Sequence, residues 1–433
     1  MLKVKKIIVG LFLVLFFSAL FITLSYADEN AAEYYLKASN LLSDISQDSL
    51  KNMDNVIRNS WKEDNQELKE LLVKNQEAIE EFKKATQIPY CDFSFGKSIV
   101  KNISSDAPQH VNDFRVAKII ILEGKLHEKQ GQIDLALGNY FSVLRFIAHL
   151  GQQKDFILIS KIAEIILEKL ACDSLLEYVK SVKLTIPGYK QLFDTLISFQ
   201  KRKVGLGNAF EEEKEFRKNS IRLFETIAQK KGKYNENFYQ IFYEEYDKLE
   251  DEFIGYMITA FKENDPEFYE AKIKQLESDK IEEEARLSFK VEPFASSSNF
   301  ADWLGSWERI NSPSLAAKSC FLTGVPTYSK VITRYYNSIS RLNILIVVTA
   351  IKLYELTNDN TIGSLEELIP AYFKKIPEDP FDNFKPLKFE KKNTGFVVYS
   401  FGPNKLDDYA GLKIDEEAKD LAKIKGDIVF QAF

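Results

Sequence analysis

A mainly helical chain that closes in a small α+β unit is what the sequence predicts, on three observations. Over 31–290 prolines are few and apolar residues recur at spacings of three and four, the period of buried helix faces. A further helical run reaches residue 356, with an apolar centre over 342–351. Beyond Pro380 the pattern changes to short extended segments at 387–390, 396–401 and 428–431, bounded by turn residues.

The N-terminus carries Lys3, Lys5 and Lys6, an uncharged apolar stretch over 7–24, and then Ser25-Tyr26-Ala27. Basic residues, an apolar centre and small residues before a cut make residues 1–27 an export signal cleaved after Ala27. The stretch also approaches the roughly 18–20 residues that span a bilayer, so an uncleaved inner-membrane anchor remains open. Either way the lysines stay inside and the body is extracytoplasmic, periplasmic or secreted. Removing 1–27 takes three of the 58 basic residues and none of the 64 acidic ones, which moves the net charge from −6 to −9. So acidic a chain does not neutralise phosphates, and nucleic acid is set aside as a partner. Cys91, Cys172 and Cys320 have no zinc-type spacing; each either packs, or two of them pair in an oxidising compartment.

The helical array is expected over 28–290. Phe238, Phe242, Tyr246, Leu249, Phe253, Tyr256 and Ala260 lay one apolar stripe along a helix whose other face holds Glu244, Asp247, Glu250 and Asp251. Residues 155–179 are apolar on most faces, and Lys161, Glu164, Glu168 and Lys169 keep that helix out of a bilayer, as the buried centre of the array. Acidic runs at 211–215 and 282–284 read as solvated helix ends or faces. Gly124, Gly131, Ala136 and Tyr140 fall at the small, small, small and aromatic positions of a helical hairpin, so residues 117–150 resemble one tetratricopeptide repeat. With no second copy near a 34-residue period, the resemblance implies an irregular tetratricopeptide-like array offering a concave surface.

A junction is expected over 291–315, where Pro293, Gly305 and Pro313 sit among Phe294, Phe300, Trp303 and Trp307. Rings of that size are costly to leave in water, so the segment folds over its neighbours or presents Trp303 and Trp307 as a ligand platform.

The last unit is expected over 316–433. Pro326 suits the first turn of its long helix. The apolar centre of that helix is too short to cross a membrane and is expected between the array and a small sheet. Pro377 and Pro380 bracket Glu378-Asp379, which fixes the backbone, stops strand pairing and leaves Asp379 to cap local amides. The order of this tail, from Ile376-Pro377-Glu378-Asp379-Pro380-Phe381 through Phe396-Val397-Val398-Tyr399-Ser400-Phe401-Gly402 to Gly426-Asp427-Ile428, resembles the C-terminal domain of the major pseudopilins of type II secretion systems. The resemblance implies a long helix packed on a short antiparallel sheet, and calcium in the last loop. It places Ser400, Asn404 and Asp427 on matching positions, while Asp407 and Asp408 align by proximity. Asn404 stands where the family usually has an acid, and residues 409–425 replace a short Gly-rich connection. A calcium cage and a loop held by side-chain-to-backbone hydrogen bonds therefore both stay open. The family's processing site and continuous assembly helix do not precede Pro326, so the resemblance implies a pilin-like head without a filament stem.

No Gly-x-Ser-x-Gly or His-Glu-x-x-His motif accompanies His110, His127 and His149, and Gly205-Leu206-Gly207 lacks the rest of a phosphate loop. His127 is expected to pack. The chain is therefore expected to be no enzyme but an exported interaction or scaffold protein that binds envelope or secretion components. The alternative is an exported hydrolase, or a carbohydrate- or peptide-binding module, with a cleft beside Trp303 and Trp307.

Overall fold

A computed structural model describes residues 29–61, 64–93, 106–153, 158–203, 205–214, 236–263, 271–279, 312–411 and 425–432. The fold is mainly helical, with a small C-terminal antiparallel sheet region packed against a long helix. Two compact units divide after Gln153. That division falls inside the stretch expected as one array over 28–290.

The first unit holds α1 (Ala31–Leu41), α2 (Gln47–Asn59), α3 (Gln66–Lys74), α4 (Gln76–Ala85), α5 (Asp106–Lys129) and α6 (Ile133–Leu150). Asn30, Ser46 and Asn65 cap α1, α2 and α3 by accepting from Ala32 N, Ser49 N and Leu68 N, the use of short polar side chains at helix starts. Tyr35 lies fully buried at the centre, its ring 4.8 Å from those of Phe82 and Phe146. Its hydroxyl meets His149 Nδ1 at 2.9 Å. The α5–α6 hairpin closes as its small residues predict: a Cβ on Gly124 would stand 2.9 Å from Tyr140 Cε1. His127, by contrast, is only half-buried and meets Gln132 Oε1 at 2.5 Å in the turn between α5 and α6, so it holds the turn instead of packing. The side chain of His110 is outside the described residues.

In the second unit, α7 (Leu158–Ser181), α8 (Ile186–Arg202) and α9 (Glu236–Glu263) pack on α10 (Pro313–Asn358). The aromatic stripe of α9 is core: Phe253 lies 5.7 Å from Phe321 and 5.0 Å from Tyr328 of α10. Helix α10 starts earlier than expected. Ser312 accepts from Leu315 N as its N-cap and Pro313 takes the first turn, so Pro326 lies within the helix instead of opening it. The acidic run at 211–215 is not wholly solvated either, because Glu213 is buried and accepts from Leu158 N at 3.0 Å. The run at 282–284 is outside the described residues.

Strands follow in the order expected. Glu378–Asp379 (β1) pairs antiparallel with Lys385–Pro386 (β2), so the two prolines shorten this pairing without preventing it: each lies outside the two-residue β1. Lys388–Lys392 (β3), Gly395–Ser400 (β4) and Ile428–Ala432 (β5) form an antiparallel sheet in the order β3-β4-β5. Phe396, Val398 and Ser400 pair with Ala432, Phe430 and Ile428, and all six are buried. This face lies on α10, where Ser400 Oγ donates to Ser340 Oγ at 3.2 Å and Lys352 sits 5.1 Å over the Phe396 ring. Cys91, Cys172 and Cys320 are all free and buried. Among the described residues no helix is long and apolar enough to cross a membrane.

Candidate functional site

Two carboxylates organise the end of the sheet, and strand alternation decides which side chains each can reach. Ser400 shares its face with Phe396 and Val398, so its hydroxyl points inward, towards α10. There it donates to Asp379 Oδ1 at 2.6 Å. Asp379 also accepts from Phe381 N and Phe401 N, each at 2.9 Å, the amide-capping role the Pro377–Pro380 bracket predicts. Burial raises its pKa, and these three donors counteract the rise. Asn343 of α10 donates to the Glu378 carbonyl at 2.8 Å, which ties the same loop to the helix.

The second carboxylate, Asp427, is buried at the start of β5. Its oxygens accept from Asp408 N at 3.3 Å and Ala410 N at 2.8 Å. Burial pushes its pKa up to about 6 against those two bonds, and the charges of Asp408 and Asp407 add to the rise. Around it, Asn404 Nδ2 donates to Asp408 Oδ2 at 2.9 Å, and Asp407 Oδ1 accepts from Tyr409 N at 2.9 Å and from the Tyr399 hydroxyl at 3.3 Å. Lys405, Tyr409 and Ala410 hold φ near +55°. That backbone is uncommon outside glycine and persists where side chains fix it. The loop crosses Gly426 closely at Gly402, where a Cβ would run into the Gly426 carbonyl oxygen.

The loop over 401–411 is thus held by Asp407, Asp408 and, from the start of β5, Asp427, and two apolar side chains are left outside. Leu406 is 63% exposed and Tyr409 is 74% exposed. The sequence left a calcium cage and a hydrogen-bonded loop both open here and did not single out either residue.

The structure brings Asn404, Asp407, Asp408 and Asp427 into one hydrogen-bonded loop but sends Ser400 to Asp379. Calcium takes about six to eight oxygens. Here both Asp427 oxygens are committed to backbone amides, one Asp408 oxygen to Asn404 and one Asp407 oxygen to Tyr409. Among the described residues no group of three His, Cys, Asp or Glu side chains could hold a metal ion. As arranged, these residues fit the hydrogen-bonded loop and not the calcium cage. Trp303 and Trp307 lie outside the described residues.

Sequence reading also missed a charged cluster in the second unit. Lys161, Glu164 and Glu168 of α7 are buried, with Lys203 beyond α8 and Tyr335 of α10 against them. Their spacing of three and four was visible; Lys203, 35 residues from Glu168, was not.

Set against known protein families, curated proteins and solved structures, the chain matches none.

Proposed function

We propose that this chain is an exported, non-enzymatic interaction protein of the cell envelope, in which a tetratricopeptide-like helical body carries a pseudopilin-like head that contacts a secretion or envelope protein through the loop over 401–411. One observation carries the reading. Leu406 and Tyr409 stand in water on a loop whose polar groups bond inward. A side chain presented on pre-ordered backbone loses little entropy on binding, and exposed tyrosine is a frequent anchor of protein interfaces. The net charge of −6, or −9 once 1–27 are removed, favours such a partner over nucleic acid.

Affinity capture after crosslinking in the native envelope tests this. The unaltered chain is expected to recover an envelope or secretion protein that the Leu406→Ser/Tyr409→Ser variant, folded by circular dichroism, does not. Recovery of the same proteins by both would overturn the loop's role, and recovery of none above background would overturn the interaction itself.

A further inference from the structure

Helix α7 buries charge where an interior helix ordinarily buries hydrocarbon. Lys161 Nζ meets the two oxygens of Glu164 at 2.7 and 2.9 Å. Lys203, just past α8, meets Glu168 Oε1 at 2.6 Å. Both ammonium groups lie against the ring of Tyr335 on α10, at 5.8 and 5.0 Å from its centroid. Further along, Arg341 of α10 pairs with Asp173 of α7, which Lys169 also holds at 2.8 Å. Gln200 of α8 donates to Asn343 of α10 at 2.8 Å.

Burial works against the charged form of these groups. Burial lowers the pKa of Lys161 and raises that of Glu164, both against the charged form. For Lys203 burial acts in the same sense, yet Glu168, Tyr335 and Glu164 together outweigh it and hold the pKa up. A buried pair of this kind roughly cancels its own attraction against lost hydration, so it adds little stability over apolar residues of the same size.

Apolar packing alone discriminates poorly here. Leu342, Ile344, Leu345, Ile346, Val347 and Val348, interrupted by Asn343, put buried aliphatic side chains of similar bulk along α10. A slide of α10 by one turn, about 5.4 Å, would replace one aliphatic contact by another. The same slide would take Tyr335 off the two lysines, which keep Glu164 and Glu168, and Arg341 off Asp173, leaving its guanidinium buried without a carboxylate.

We infer that the Asp173–Arg341 pair, with Tyr335 seated against the Lys161–Glu164 and Lys203–Glu168 pairs, forms a register key, which fixes where α10 docks along α7 and α8 and contributes little to net stability. The surface reading of the 401–411 loop is independent of it.

Spin labels on the full chain at Glu177→Cys and Arg334→Cys, both exposed positions, read the register as an inter-label distance. The unaltered interior is expected to give one narrow distribution. With Lys161→Met, Glu164→Leu, Glu168→Leu, Lys203→Met, Asp173→Leu and Arg341→Met together, the chain is expected to remain folded. Its urea midpoint should be unchanged or higher, and a second distance population should appear, displaced along the helix axis by about one turn of 5.4 Å. The single variant Glu168→Gln, which strands Lys203, is expected to lower the midpoint by roughly 1–2 M. A single unshifted distance in the sixfold variant would overturn the inference. So would failure of the sixfold variant to fold, since the pairs would then supply stability and not register.

Discussion

Ser400 and Asp379, 21 residues apart, meet in a buried hydrogen bond of 2.6 Å that joins the end of β4 to the loop between Pro377 and Pro380. The same carboxylate takes the amides of Phe381 and Phe401, so one side chain satisfies donors from two separate stretches of backbone. The bond from Phe381 is buried and that from Phe401 part-buried.

Asp379→Ala is accordingly expected to destabilise the second unit by about 3 kcal/mol, because it strands buried donors, whereas Ser400→Ala, which removes one hydroxyl, costs about 1 kcal/mol. Urea unfolding of the full chain, read by amide exchange in β4 and β5, measures both. Equal small effects would mean that water reaches these amides.

This pair also shows what the sequence held and what it hid. That Asp379 caps amides followed from two prolines flanking an acid, which is local information. That Ser400 is one of its partners required the sheet to bring the two together. The diversion of Ser400 from the loop was not legible from strand parity, because Val397 and Tyr399 on the other face are as apolar and as buried as Phe396 and Val398. The helix start erred for a local reason: Ser312-Pro313 is a cap-and-first-turn pair, but it lay in a stretch read as a junction for its aromatics and turn residues. Helix α7 was expected as the buried centre of one array over 28–290 and packs instead on α10 in the second unit, while its charges were read only as an argument against a membrane.

Asp427 gives a pH signature. Its folded pKa, about 6, stands above its ordinary value of 3.8. Folding therefore favours the protonated form, so this group's contribution is complete below about pH 4 and is lost as pH rises through about 6. Asp379 is shifted in the same direction. Asp427→Asn is expected to lose most relative to the unaltered chain near pH 4 and to close the gap by about pH 7. Unfolding midpoints of the two chains across that range check it, and a constant gap contradicts it.

Gly402 is expected to tolerate no side chain. Its φ is +68° and a Cβ would strike the Gly426 carbonyl. Gly402→Ala should destabilise by more than about 1 kcal/mol. Gly138, inside α6 with nothing near its Cβ position, is the contrast: Gly138→Ala should be neutral or stabilising by up to about 1 kcal/mol. Thermal unfolding of the two variants compares them directly.

Calcium is expected to leave the melting of the second unit unchanged, since the amides of Asp408 and Ala410 already occupy the Asp427 oxygens. Calorimetry with calcium and with chelator tests this. A rise that Asp427→Ala abolishes would show that the loop opens into a cage.

The most direct measurement is photo-crosslinking from position 409. A photoreactive phenylalanine analogue replacing Tyr409 in the full chain, irradiated in the native envelope, is expected to give one discrete adduct with an envelope or secretion protein, and the same analogue replacing Lys180, exposed on α7, none. Absence of an adduct at 409, or the same adducts from both positions, would contradict the claim that this loop is the protein's contact surface.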